Sequence, residues 1–122
     1  MILVVDDHAD TRRMMCRLLQ REGYAVESVE SGMDAIHVAQ ERHPDLILLD
    51  LMMPDMNGLQ VLKELRTQPQ SSDIPVIMLT GSSDRNHIQE AKQLHVNAFY
   101  TKAHFRMNDL LAQIKTYADK LA

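Results

Sequence analysis

Three carboxylates, a hydroxyl and a lysine stand at positions in this chain from which one fold could gather them. Asp50 follows the apolar run Leu46-Ile47-Leu48-Leu49 and precedes a turn signal, Met53-Pro54-Asp55-Met56-Asn57-Gly58. A continuous apolar run bounded by turn residues reads as a strand buried on both faces. An unpaired charge is costly in such a core. Asp50 therefore belongs at the strand's C-terminal tip, where open α/β sheets hold their ligands. Asp6 and Asp7 end a second apolar run, Ile2 to Val5. Thr80 ends a third, Pro75 to Leu79, and Lys102 ends a fourth, Ala98 to Thr101. Clustered carboxylates repel one another unless something compensates. A hard divalent cation with oxygen ligands does so, and Mg²⁺ suits a site with few protein ligands. With Lys102 as a point charge and Thr80 as a hydroxyl donor, the set has the means to hold a phosphoryl group.

The elements that must position these residues are legible in the periodicity. Ile2 to Val5 is the first strand. A helix follows, with Asp10 or Thr11 as candidate cap and Met14, Met15, Leu18 and Leu19 at helical spacing; Gly23 stops it. Ala25 to Val29 alternates as a strand. Ser31 begins a second helix that ends before Pro44. The strand before Asp50 comes next, then a helix from about Gly58 to Arg66 and a loop at Ser71-Ser72-Asp73. Pro75 to Leu79 is a strand, and Asp84 opens a helix through about Leu94. Ala98 to Thr101 is the fifth strand, and a last helix is expected from about Met107 to Leu121. Alternating strands and helices with short connections predict an α/β fold: a five-stranded parallel sheet, doubly wound, with five helices.

Composition sets the frame. The 122 residues are expected to form one domain, 1–122, with 45% hydrophobic residues supplying an ordinary core. The net charge of -4 argues against direct nucleic-acid binding. Cys16 is the lone cysteine; it excludes an internal disulfide, fits a reducing compartment and reads as a small buried hydrophobe. Most of the nine methionines read as core fillers. The first residues show no signal peptide, and no apolar run reaches the roughly 18 residues of a membrane span. The expected location is cytoplasmic.

Several residues read as structural. The six histidines, His8, His37, His43, His87, His95 and His104, lack metal-ligand spacing and read as structural or solvent-exposed. Thr80-Gly81-Ser82-Ser83 does not complete a nucleophile elbow, and there is no phosphate-cradling glycine loop. Arg13, Arg17 and Arg21 recur every four residues on the first helix. They form either a solvated face or a docking stripe for an acidic patch on a phosphodonor.

Taken with their intervals, Val4-Val5-Asp6-Asp7, Leu48-Leu49-Asp50-Leu51-Met52-Met53-Pro54-Asp55-Met56-Asn57-Gly58, Leu79-Thr80 and Thr101-Lys102 resemble the receiver domain of two-component response regulators, of the chemotaxis-regulator kind. The resemblance covers about residues 1–120 and implies a flavodoxin-like strand order of 2-1-3-4-5. It implies that Asp50 is the phospho-acceptor, attacking a phosphoryl group delivered by a phosphohistidine. It further implies that Asp7, Asp50 and the backbone carbonyl of Met52 ligate Mg²⁺, with Asp6 acting mainly through a metal-bound water. Lys102 and Thr80 would each bind a phosphoryl oxygen, Thr80 by moving, and Phe99 would be the switch aromatic that turns inward behind it. The implied partners are a sensor histidine kinase or histidine phosphotransfer protein and a downstream protein target, with no membrane insertion.

The chain departs from the family at three places. Phe99 replaces the usual tyrosine, so switching there relies on packing alone. Ala103 replaces the proline after the lysine, and His95 replaces a glycine at the end of the fourth helix. Histidine tolerates a left-handed backbone better than most residues. A cis bond after Lys102 is cheap with proline and costs about 2.5–4 kcal/mol with alanine. The expectation is therefore a trans Lys102–Ala103 bond, with the amine still within ion-pair reach of Asp50.

Two competing functions remain. One is an interaction module that keeps the fold and signals without phosphorylation; the presence of all five site residues disfavours it. The other is a Mg²⁺-dependent phosphatase with an aspartyl nucleophile; Met52 stands where its general acid should be, two residues after Asp50. The expectation is not an enzyme, beyond Mg²⁺-dependent self-phosphorylation and slow self-dephosphorylation. The chain reads either as a complete single-domain relay or as the N-terminal part of a longer regulator.

Overall fold

Three of the apolar runs contain no outward-facing polar residue, and the fold explains why. In the computed structural model, which describes residues 1–81 and 84–118, they are the central strands of one sheet. These are β1 (Ile2–Val5), β3 (Leu46–Leu49) and β4 (Val76–Thr80), every residue of which is buried. The edges, β2 (Val26–Val29) and β5 (Ala98–Thr101), are only partly covered and carry the polar residues Glu27, Ser28 and Thr101. All pairings are parallel, in the order β2-β1-β3-β4-β5. The doubly wound, flavodoxin-like order expected from the resemblance is therefore the one observed.

Alternate side chains on each strand serve different layers. Leu3, Val5, Ile47 and Leu49 face α2 (Gly32–Arg42), α3 (Gly58–Thr67) and α4 (Arg85–Gln93), meeting Ala35, Leu62, Leu65 and Ala91. Ile2, Val4, Leu46 and Leu48 face α1 (Ala9–Arg21) and α5 (Met107–Tyr117), meeting Met15, Leu19, Leu110 and Ile114. The register aligns the strand ends, pairing Val5 with Leu49, Leu49 with Met78 and Thr80 with Thr101. The residues just past these positions share one edge.

Several expectations are corrected in detail. Neither Asp10 nor Thr11 caps α1; the N-cap is His8, whose side chain makes no capping bond. The other N-caps fall where polar residues were read: Ser31 accepts from the Asp34 N–H, and Asp84 from that of Asn86. Asn57 and Gln60 form a reciprocal capping box. β2 begins at Val26 and β4 at Val76, each one residue later than expected, and Thr80 ends β4 as read. The last helix stops at Tyr117, because Ala118 turns extended and is buried in the α1/α5 layer; the rest of the expected run to Leu121 lies outside the described residues. Cys16 is half-buried, and Met14, Met33 and Met52 are exposed. Their helical or loop positions point them away from the two layers. His95 has φ 59°, the left-handed conformation expected of it. Among the described residues, no helix is long and apolar enough to cross a membrane.

Candidate functional site at the strand tips

The sheet delivers its ends to one crevice. The Asp50 N–H still donates to the Val5 carbonyl at 2.9 Å, continuing the β1–β3 ladder one step past the strand. The Lys102 N–H donates to the Thr80 carbonyl at 2.7 Å, doing the same for β4 and β5. Asp6, Asp50 and Thr80 are all buried. The Lys102 amine lies 3.3 Å from Asp6 Oδ2 and 3.8 Å from Asp50 Oδ2. Both parts of the expectation for this residue are met, since the described residues contain no cis peptide bond.

Backbone donors orient the acids. Asp50 Oδ1 accepts from the Met52 N–H at 3.3 Å, and Asp6 Oδ1 from the His8 N–H at 2.9 Å. The Asp6 carbonyl accepts from the Arg12 guanidinium, which fixes the start of α1 against β1. Gly58 holds the loop after Asp50 in place. Its N–H donates to the Leu51 carbonyl at 2.8 Å, and an added Cβ would lie 2.5 Å from the Asp50 carbonyl oxygen. Only glycine lets α3 begin so close to the Asp50 backbone.

The electrostatics leave the crevice short of positive charge. Burial pushes the Asp50 carboxyl above its ordinary value, and the neighbouring Asp6 and Asp7 push it the same way. Lys102 and the Met52 N–H oppose the shift without cancelling it. Asp7 Oδ1 is buried and accepts no hydrogen bond. A buried carboxylate oxygen without a donor is expensive, and a divalent cation is the partner such an all-oxygen set fits. One donor atom each from Asp6, Asp7, His8 and Asp50 lies within 4.8 Å of the others. The sequence offers no ligand spacing for His8, yet its Nδ1 lies 3.3 Å from Asp7 Oδ1 and 3.5 Å from Asp6 Oδ1.

The remaining site residues surround this core. Met52 is exposed beside Asp50, and no acid stands at its position. Phe99 is half-buried on β5 and packs against the α2/α3/α4 layer, as Leu94 and Val96 do. A surface recess runs past it, lined by Ile88, Lys92, Val96, Thr101 and His104. The arginines of the proposed stripe are on the outer face of α1, where Arg13 pairs with Asp10 at 3.0 Å.

Comparison with known proteins decides what this arrangement is. The model of the response regulator receiver domain matches residues 2–115. The chain belongs to the receiver-domain family of two-component response regulators. Its relatives include the phosphate regulon transcriptional regulatory protein PhoB of Escherichia coli, 34% identical over 121 residues, which span 99% of this chain and 52% of that protein. The transcriptional regulatory protein ResD of Bacillus subtilis is 44% identical over 89 residues, 72% of this chain and 36% of that one. The receiver thus spans about half the length of the curated relatives it matches, or less. Among solved structures, the chemotaxis protein CheY4 of Vibrio cholerae superposes with a TM-score of 0.85 at 32% identity, covering 96% of this chain and 97% of that one. The receiver domain of a histidine kinase from Syntrophus aciditrophicus gives the same TM-score at 31% identity, over 95% and 87%.

Proposed function

We propose that this receiver takes a phosphoryl group onto Asp50 from the phosphohistidine of a sensor histidine kinase or histidine phosphotransfer protein, and that the modified site alters a partner-binding face. One observation carries the reading above the rest. A buried carboxylate stands 3.8 Å from a lysine amine in a crevice whose other acids leave a buried oxygen without a donor.

In this reading an Asp50 oxygen attacks phosphorus, the new P–O bond forms as the P–N bond breaks, and the donor imidazole leaves. Asp50 suits this task because the Met52 N–H aims its carboxylate. Lys102 moves from its contacts with Asp6 and Asp50 to a phosphoryl oxygen, and the Thr80 hydroxyl donates to another. Asp7, Asp50 and the Met52 carbonyl would hold Mg²⁺, with Asp6 acting through water, and the ion would neutralise phosphoryl charge. Phe99 follows Thr80 inward by packing alone. The chain is not an enzyme on another substrate. Its own turnover is limited to Mg²⁺-dependent self-phosphorylation and slow hydrolysis of the acyl phosphate, because Met52 offers no general acid.

Partners follow from the same chemistry: a phosphohistidine protein on the input side and a protein target on the output side. The net charge of -4 argues that this portion does not itself hold nucleic acid. A cytoplasmic setting fits a phosphodonor charged from ATP. Incubation with a small acyl phosphate, with Mg²⁺ or with chelator, followed by intact mass, tests the proposal. A gain of one phosphoryl group only with Mg²⁺ supports it. No gain favours the interaction module, and catalytic consumption of the donor without a stable adduct favours a phosphatase.

A further inference from the structure

His8 occupies a position that normally belongs to another kind of residue. It is the N-cap of α1, where serine, threonine, aspartate and asparagine satisfy the first free N–H groups. Its side chain makes no such bond. The ring turns the other way, over the acidic crevice, with Nδ1 3.3 Å from Asp7 Oδ1 and 3.5 Å from Asp6 Oδ1. The Asp7 oxygen it approaches is the buried one that accepts no hydrogen bond. The two atoms therefore lie at ion-pair distance with no hydrogen bond between them.

These separations suit atoms that share an ion. A tetrahedral ion with bonds of about 2.05 Å holds its ligand atoms about 3.3 Å apart. An octahedral one at about 2.1 Å holds adjacent ligands about 3.0 Å apart and opposite ones about 4.2 Å. One donor atom each from Asp6, Asp7, His8 and Asp50 falls within 4.8 Å of the rest. Imidazole nitrogen favours zinc, nickel and copper, whereas carboxylate and carbonyl oxygen serve magnesium.

We infer that His8 is a nitrogen ligand at the acidic crevice and gives this receiver a site for an imidazole-preferring divalent ion such as Zn²⁺, in competition with Mg²⁺. The inference rests on the receiver reading for the location of the Mg²⁺ site, and goes beyond it in assigning His8 and a second class of ion. The phosphorylatable site then answers to the supply of two metals rather than one. The rival account of the same geometry is a counter-charge, with the ring offsetting the acids as a cation.

Calorimetric titration of the full chain with Zn²⁺ and with Mg²⁺, for the parent and for His8→Asn, separates the two. Asparagine is a better N-cap, so the variant keeps the helix start while losing the imidazole. Mg²⁺ in excess identifies the crevice, since Zn²⁺ bound at the five other histidines does not compete with it. The expected result is Mg²⁺-displaceable Zn²⁺ binding whose affinity, relative to Mg²⁺, falls on the order of tenfold or more in the variant. An unchanged Zn²⁺ to Mg²⁺ ratio overturns the inference, including the case where both affinities rise together as a lost counter-charge demands. Absence of Mg²⁺ binding in the parent would instead count against the receiver reading.

Discussion

Asp50 is under two opposing demands. As the proposed acceptor it must be ionised to attack phosphorus, yet burial and the Asp6 and Asp7 charges hold its carboxyl above the ordinary value of 3.8. A carboxyl raised in the folded state binds its proton more tightly there than in the unfolded chain. Its ionisation therefore costs stability, and the cost grows as pH rises from about 3.8 through the folded value. Asp50→Asn should accordingly raise the melting temperature of the metal-free protein near pH 7, and the gain should shrink as pH falls toward 4. A gain that is the same at both pH values would contradict this. Asp7→Ala should also stabilise the metal-free protein, by on the order of 1 kcal/mol, since charges about 4 Å apart repel by at least that much even in water. Gly58→Ala should act in the opposite direction. The new methyl meets the Asp50 carbonyl at 2.5 Å, so denaturant melts should show a loss of about 1–3 kcal/mol, with slower phosphorylation because the acceptor loop is displaced.

Among the elements, α4 and β5 link the crevice to a surface. Thr80 ends β4 and Phe99 sits on β5, paired in register with Met78, while the recess beside the ring opens between α4 and β5. The far end of α4 is anchored. The Arg66 guanidinium, at the end of α3, donates to the carbonyls of Leu94 and His95 and to Asn97 Oδ1, as well as to the carbonyls of Ser72 and Ile74. Any movement that follows Thr80 is thus expected at the site end of α4 rather than at its C-terminus. Phe99→Ala should leave phosphorylation of Asp50 intact and weaken a phosphorylation-dependent contact. Identical amide shifts for α4 and β5 with and without a phosphate mimic would remove the switch. The elements themselves were legible because they depend on periodicity, and strands buried on both faces cannot hide in a sequence. Arg66 was not legible, because its role is set by acceptors that only the folded chain brings around it. His8 is solvent-exposed, one of the two settings read for it, but its place beside the acids was not legible. Its spacing carries no ligand pattern, and only the unused N-cap position turns the ring toward the acids. The end of the last helix was overrun because helical composition continues past Tyr117, whereas the backbone turns extended at Ala118.

At the scale of the whole molecule, one doubly wound sheet brings residues up to 96 positions apart into a crevice with more negative than positive charge. Any ion that binds only the folded form adds stability by mass action, about 2.7 kcal/mol at a concentration one hundred times its Kd. Mg²⁺ should therefore raise the melting temperature of the parent, and Asp7→Ala should lose most of that response. A melting curve indifferent to Mg²⁺ would contradict the metal site. The position of Asp50, the proposed acceptor, was readable from the sequence because a carboxylate that closes an unbroken apolar strand must sit at the strand's end. The site's partners were not, since a docking surface needs only exposed residues of ordinary type. The most direct test of the account compares intact mass for the parent and Asp50→Asn after incubation with a small acyl phosphate and Mg²⁺. The parent should gain the mass of one phosphoryl group and the variant none, with both folded by circular dichroism. Undiminished labelling of the variant would contradict it.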